Sequence, residues 1–392
     1  MAELTKGQDF AVKKLNMWYK LSTSDQVFRI FGYAGAGKSF VVSVMMTQLG
    51  LSQENVKYAT YTGKAALVLR KKSIPATTIH KLIYDAVEQE VDKVLPDGTV
   101  KKILVTKFVK KPFIPGDIQL IVLDECSMID NKMWEDLLSF NIRIIVLGDP
   151  GQLPPIHGKS PIIDVKPDAF LDEIVRQSAG NPIIHLSMLA REGKPIRAGS
   201  YSNSVHVINK QFITDQTLGT ADTIITTTNN LRDDLNNYMR HNIKGFDNPL
   251  PMTGDKLICR RNNWDKTLNG IPLVNGIIGD VISPIRIEND KVFKMDFKPE
   301  GFTKSYFEDL EVNALLFDPN LSAKDRKEIM GNKYNGSANS FEYGYAITAH
   351  LSQGSQWGNV CAYYAPFGDS EFRRKLLYTI ITRAEHTLTL AM

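Results

Sequence analysis

Apolar residues in the first half of the chain gather into short runs, nearly continuous, at 27–31, 56–61, 120–124 and 142–148. Continuous runs of this length predict strands buried on both faces, as in a parallel sheet. Between them, 40–49, 65–71 and 132–140 read as helices, so the series is strand–helix–strand and predicts a doubly wound α/β domain. The pattern returns after about residue 220. "DTIITTT" (222–228) is strand-like, and in the following "NNLRDDLNNYMR" Leu231, Leu235 and Tyr238 keep helical spacing behind an Asn230 cap with Asp233 three residues on. "VCAYYAP" predicts a later strand, 372–381 a helix and "TLTLAM" a final strand, which close a second α/β domain at the C-terminus.

From 249 to 345 the texture changes. "GDKLICRR", "GIIGDVISPIRIE", "KVFKMDFK" and "SYFEDLEVNALLF" read as short strands punctuated by the turn pairs Asn269-Gly270 and Asn275-Gly276, which predicts a small β-barrel inserted in the second domain. Residues 93–111, "KVLPDGTVKKILVTKFVKK", read as a hairpin with Pro96-Asp97-Gly98 at its turn and six lysines against one aspartate.

Length and charge narrow the class. At 392 residues the chain has room for two or three domains. No apolar stretch reaches the ~18 residues of a membrane span and the N-terminus lacks the apolar core of a signal peptide, so a cytoplasmic protein with no membrane partner is expected. The three cysteines, Cys126, Cys259 and Cys361, are far apart and in no metal-ligand spacing, which fits a reducing compartment and no zinc site. A net charge of +4 permits a polyanionic partner without arguing for one.

The candidate chemistry begins at "IFGYAGAGKS". Gly32-x4-Gly37-Lys38-Ser39 follows a predicted strand and opens a predicted helix, the context a phosphate-binding P-loop requires. Glycines let successive backbone N–H groups turn inward around a phosphate, and the helix N-terminus adds partial positive charge. Gly35, Ala36 and Gly37 would line the phosphates, Lys38 would reach the β- and γ-phosphates of ATP, and the Ser39 hydroxyl would ligate Mg²⁺. "LIVLDECSM" ends a buried strand in Asp124-Glu125, so two carboxylates emerge at the carboxyl edge of the sheet, where ligands of open α/β folds bind. There Asp124 can hold Mg²⁺ through a water while Glu125 orients and deprotonates the attacking water. In "IIVLGDPGQLPPI", Gln152 at the next strand end is suited to sense the γ-phosphate, since an amide both donates and accepts.

With these stretches in hand the chain resembles the superfamily-one DNA helicases, in particular the RecD-like branch that includes the phage helicase Dda. Ten matches occur in family order: "LTKGQ", "GYAGAGKS", "YTGKAA", "TTIHKLI", "DECSM", "GDPGQLPP", "IVRQ", "TTTNN", "TAHLSQG" and "YTIITRA". The resemblance implies two RecA-like P-loop domains in tandem, the first at 1–170 and the second at 171–248 and 346–392. It implies a β-hairpin pin insert at about 84–115 in the first and an SH3-like β-barrel insert at 249–345 in the second. Gln8 matches a glutamine that reads the adenine edge, Gly354 falls in a nucleotide-side motif, and Arg176 and Arg383 match arginines that reach the γ-phosphate across the cleft. Single-stranded DNA would be held by Thr62, Gly63, Lys64, Thr78 and His80 in the first domain and by Thr228, Asn229, Thr348, His350 and Gln353 in the second. Phe108 or Phe113 would be an apolar wedge at a single/double-strand junction, while for the hairpin's lysines the protection of an exposed strand edge is an equal reading.

The activity so implied is ATP-dependent unwinding by a monomer moving five-prime to three-prime, in replication, recombination or repair. A single-stranded DNA-binding protein or replication factors would be partners, and a phage origin is suggested. The chain departs from the family at Leu351, where a lysine is usual, and at Ala36 and Ser39, which replace threonines. A translocase that strips proteins from DNA without separating strands, and a non-catalytic nucleic-acid-binding subunit, stay open as alternatives.

Overall fold

The computed structural model describes residues 3–21, 25–94, 100–154, 160–173, 180–269, 271–331 and 338–392. They form two compact units, one of Met1–Ile83, Lys111–Asn229 and Thr348–Met392 and one of Tyr84–Lys110 and Asn230–Ile347.

The first unit holds two α/β sheets. One is wholly parallel, in the order Ala76–Thr78, Val56–Thr60, Leu120–Asp124, Arg143–Gly148, Val27–Gly32 and Ala169–Leu171. The four long strands are the four apolar runs of the sequence, and nearly every residue in them is buried. Because all run the same way, their carboxyl ends share one edge, and three loops that carry candidate chemistry meet there. The helices Lys6–Lys20 and Lys38–Leu49 cover the sheet through Leu15, Trp18, Val41 and Met45 against Ile30, Val122 and Leu147. Thr5 and Gln8 close a reciprocal capping box at the start of the first helix.

The other sheet runs Thr223–Thr226, Trp357–Tyr363, Ala384–Ala391 and Val205–Ile208 in parallel, with Gly199–Ser202 antiparallel at the edge. Helices Pro182–Glu192 and Ser370–Ile381 pack against each other beside it. The helix after Thr226 spans Asn229–Tyr238, so Asn230 lies inside it and does not cap it. The Thr226 hydroxyl donates to the Thr228 carbonyl (3.1 Å), which turns the strand end tightly and lets the helix start early.

In the second unit an antiparallel sheet is ordered Arg286–Asn289, Val292–Pro299, Ile278–Val281, Lys256–Cys259 and Phe341–Tyr343, and Phe307–Asn313 pairs with Val292–Pro299. Phe293, Phe297, Phe341, Leu257 and Val312 fill its core. A buried Arg240–Asp255 ion pair (2.9 Å), completed by the Tyr345 hydroxyl (2.8 Å), leaves no charge there uncompensated. Asn269 sits at φ 51° in the turn joining Asn263–Leu268 to Ile271–Leu273, as the Asn-Gly signal implied.

The lysine-rich hairpin is longer than the sequence suggested. Tyr84–Val94 pairs with Val100–Lys110 in unbroken antiparallel register from Tyr84↔Lys110 to Val94↔Val100, so it extends beyond the 93–111 read from the residues and lies within the insert of about 84–115 that the resemblance implied. The first strand, "YDAVEQEVDKV", interrupts its apolar residues irregularly with Asp85, Glu88, Gln89, Glu90, Asp92 and Lys93 and so gave a weak strand signal. Pro96-Asp97-Gly98 lies outside the described residues. Phe108 is 47% exposed, with its ring 6.4 Å from that of Tyr84. Among the described residues no helix is long and apolar enough to cross a membrane.

Candidate active site

The strand Val27–Gly32 runs into the loop 33–37 and the helix Lys38–Leu49 follows at once. Gly35 and Gly37 hold φ of 82° and 81°, a region that an L side chain enters only with strain. Gly37 is doubly constrained, since a Cβ there would lie 2.5 Å from Gln8 Nε2. Gly32 acts differently: a Cβ on it would meet the Leu171 carbonyl oxygen at 2.5 Å, so it lets two strands approach. Lys38 Nζ donates to the carbonyl oxygens of Gly32 (2.9 Å) and Tyr33 (3.0 Å), which holds its charge within the loop.

On the neighbouring strand ends, Ser39 Oγ donates to Asp124 Oδ2 at 3.3 Å, and the Glu125 N–H donates to Asp124 Oδ1 at 2.9 Å. Glu125 itself stands at φ 54°, ψ 48°, a left-handed conformation unusual for a glutamate. Burial pushes its carboxyl above the usual range and Asp124 pushes it further, while Arg383 and Lys38 pull it back. A carboxyl so raised is a stronger base when ionised, which suits proton abstraction near neutral pH.

Arg383 is only 3% exposed. Its Nε donates to Thr379 O (3.0 Å), its Nη1 to Ser355 O (3.1 Å) and its Nη2 to Thr382 Oγ1 (3.0 Å), so the guanidinium is fixed by backbone and hydroxyl oxygens and acts on Glu125 by charge. Gln152 is buried and its Oε1 has no hydrogen-bond partner among the described residues. An orphaned acceptor, two left-handed glycines before a helix N-terminus and a hydroxyl–carboxylate pair together fit a nucleoside triphosphate with Mg²⁺.

The remaining candidates fall into three groups. Some are bonded inside the fold. Gln8 Nε2 donates to Ala36 O (3.0 Å) and its Oε1 accepts from Thr5 N (3.2 Å), so reading an adenine requires one of these bonds to be exchanged. Others form the seam between the two α/β halves of this unit. Gln353 is buried and its Nε2 donates to Leu153 O at 3.0 Å. Gly354, at φ 73°, lies where a Cβ would come within 2.9 Å of Ala65 Cβ. The Lys64 ammonium is buried 4.1 Å from the centre of the Trp357 ring, a different place from the open phosphate contact its motif implies.

The third group lies at strand-to-helix turns. Thr62 caps its helix by accepting from Ala65 N (3.2 Å), with Gly63 buried behind it. The Thr60 hydroxyl donates to Thr62 O at 2.8 Å, the same device that Thr226 and Thr228 use in the second half, where Asn229 is exposed. Thr78 is buried and accepts from Lys81 N (3.2 Å). His80 is half-buried and edge-on to Tyr61 at 6.2 Å; burial lowers its pKa, with Asp130 opposing. Thr348 is buried, and His350 stacks on Phe372 at 6.3 Å with its pKa lowered by burial. Arg176 lies outside the described residues.

Sequence reasoning missed a group that the fold assembles here. Asp149 accepts from the Tyr378 hydroxyl (2.6 Å), from Arg191 Nη1 (2.7 Å) and from Gly151 N (2.9 Å), and the Ala34 N–H of the P-loop donates to Tyr378 Oη (3.1 Å). Tyr378 belongs to the quoted "YTIITRA", but nothing local marks its partners.

Residues 3–210, more than half of the chain, match the family described as AAA domain, and residues 343–391 match the UvrD-like helicase C-terminal domain. The chain belongs to the superfamily-one Pif1/RecD-like helicase family. This family member is 24% identical to the ATP-dependent RecD2 DNA helicase of Deinococcus radiodurans over 380 residues, which cover 90% of the chain and 45% of that protein. It is 31% identical to an uncharacterised protein of Acanthamoeba polyphaga mimivirus over 180 residues, 39% of the chain and 35% of that protein. It thus spans less than half the length of either curated relative. Its fold is shared with a Pif1 helicase from Bacteroides solved with ADP, aluminium fluoride and single-stranded DNA, at a TM-score of 0.55 and 16% identity over 99% of this chain and 92% of that one. That likeness makes the two α/β halves tandem RecA-like P-loop domains. The first match spans Gln8, Lys38, Glu125 and Asp149 of this family member, and the second spans His350, Tyr378 and Arg383.

Proposed function

We propose that this family member is an ATP-driven motor that moves along single-stranded DNA, five-prime to three-prime, and unwinds duplex as a monomer. The observation that carries the reading is that Tyr378, from the second RecA-like half, bonds Ala34 (3.1 Å) and Asp149 (2.6 Å) of the first, five residues before Arg383, whose charge acts on Glu125. Hydrolysis then depends on both halves, which is how a motor ties chemistry to movement.

In this reading the backbone N–H groups of 35–39 and Lys38 bind the β- and γ-phosphates. Ser39 and Asp124 would hold Mg²⁺, which when bound neutralises phosphate charge. Glu125 takes the proton of the attacking water, Gln152 orients that water through its unpartnered Oε1, and Arg383 stabilises the charge that develops on the phosphate. Thr62, His80, Thr228, Asn229, Thr348 and His350 contact the strand. Its DNA substrate is supported by relatives whose names specify a DNA helicase and a complex with single-stranded DNA. The hairpin serves as the strand-separating pin and the antiparallel sheet as the SH3-like barrel that braces it. A Dda-like phage role rests on the ordered motifs.

The deciding experiment is steady-state ATP hydrolysis by the wild type and Glu125→Gln, with and without a single-stranded oligonucleotide. Stimulation on the order of a hundredfold or more, lost in the variant, is expected. A rate indifferent to DNA, or no rate, overturns the motor. Tailed duplexes of opposite polarity then test direction.

A further inference from the structure

Tyr378 lies on the helix Ser370–Ile381 of the second RecA-like half, five residues before Arg383, and is 1% exposed. Its one oxygen joins two loops at the carboxyl edge of the first sheet. It accepts from the Ala34 N–H of the P-loop at 3.1 Å and donates to Asp149 Oδ2 at 2.6 Å. A phenol has one proton and can both donate and accept, so both capacities are filled. Burial and the Asp149 carboxylate push its pKa well up, which keeps that proton in place.

The other end of the group is also tied to the P-loop. Arg191, in the last turn of Pro182–Glu192, donates to Asp149 Oδ1 at 2.7 Å, and its guanidinium lies 4.4 Å from the centre of the Tyr33 ring and 5.2 Å from that of Tyr378. Two helices of the second half therefore reach the consecutive P-loop residues Tyr33 and Ala34 directly, through Arg191 and Tyr378, and both side chains are also tied to the Asp149 carboxylate. The strands that carry the P-loop and Asp149 are neighbours, so the group reads the separation of two loops that flank the phosphate position.

We propose that the Tyr378 hydroxyl is a positioning residue: by binding the Ala34 N–H and Asp149 together, it sets the helix Ser370–Ile381, whose C-terminal turn leads directly into Arg383, in register with the P-loop. This rests on the motor reading above. The hydroxyl does not touch the reacting atoms. It fixes where Arg383 stands when the cleft is assembled, and a displacement of about 1 Å at such a group can lower a rate by up to about a hundredfold.

The test is Tyr378→Phe, which removes one oxygen and keeps the ring. Two readouts are taken: amide exchange over 30–37 in the nucleotide-free protein, and kcat and KM for ATP with saturating single-stranded oligonucleotide. Exchange at Ala34 should rise about tenfold or more, because one bond that closes that amide is gone. The kcat should fall roughly ten- to a hundredfold with KM changed less than about threefold. Unchanged exchange overturns the proposal, as does a kcat equal to wild type, or a kcat loss matched by an equal loss of folded protein. If Tyr378→Phe does not fold, Arg191→Met, which removes the other side-chain donor to Asp149 and the guanidinium over Tyr33, supplies the same two readouts. A wild type with no DNA-stimulated hydrolysis overturns the motor reading alone, and the exchange measurement still decides the role of Tyr378.

Discussion

Glu125 combines a left-handed backbone with a carboxyl pushed up by burial and by Asp124. A non-glycine residue there is strained by about 1–3 kcal/mol, and such strain persists only where its surroundings hold it. The raised pKa also has a sign for stability. Between the unfolded and the higher folded pKa the native state binds the extra proton, so stability falls as pH rises through that window. Glu125→Gln removes that loss. Its unfolding midpoint should exceed the wild type's at pH 8, and the difference should vanish below about pH 4, where the wild-type carboxyl is protonated in both states. Thermal unfolding across this range checks it, and a gap independent of pH would refute the assignment. The chemistry of Glu125 was legible because an Asp-Glu pair closing a buried run can only emerge at the sheet edge. That of Tyr378 was not, because its partners lie 229 and 344 positions away. Nor does a motif say whether an ammonium is open or, like that of Lys64, covered by a ring.

At the scale of elements, the four central strands were readable since a strand buried on both faces has no polar alternation to confuse it. The three-residue strands Ala76–Thr78 and Ala169–Leu171 were not, because they are too short to show any period. The hairpin shows both limits. Its lysine-rich strand announced itself and the family resemblance placed an insert at about 84–115, whereas the residue-by-residue pairing of two eleven-residue strands emerged only from the structure. The ribbon pairs as a two-stranded sheet, with Phe108 and Val109 exposed on it. If it is the pin, deleting residues 95–106 should abolish unwinding of a tailed duplex while DNA-stimulated ATPase stays within about threefold of wild type, since the deletion leaves the P-loop and both strand-end carboxylates intact. Strand-displacement and ATPase assays on one preparation measure both. Equal loss of the two activities would make the hairpin a structural support and return weight to the translocase reading.

At the scale of the first unit, the nucleotide residues and the seam share the same atoms. Leu153 accepts from Gln353 through its carbonyl (3.0 Å) and donates its N–H to Thr379 Oγ1 (3.0 Å), so a residue next to Gln152 is bound twice by the second half. Gly354 meets Ala65 on the helix that Thr62 caps, which puts a proposed strand contact one helical turn from the seam. A ligand that alters the seam on one side must therefore alter affinity on the other, and the coupling has to be reciprocal. The affinity for a labelled single-stranded oligonucleotide should change by about 5- to 150-fold on saturation with a non-hydrolysable ATP analogue, and the analogue's affinity should change by the same factor on saturation with DNA. Gln353→Leu keeps the volume and removes the bond to Leu153, so it should shrink the factor toward one while both separate affinities stay within a few-fold. Fluorescence anisotropy closes the cycle. If the two ligands bind independently in the wild type, the seam is a passive interface and the movement of a motor must originate elsewhere in the chain. If they are coupled and Gln353→Leu leaves the factor intact, the coupling runs through the Tyr378 and Arg383 side of the seam.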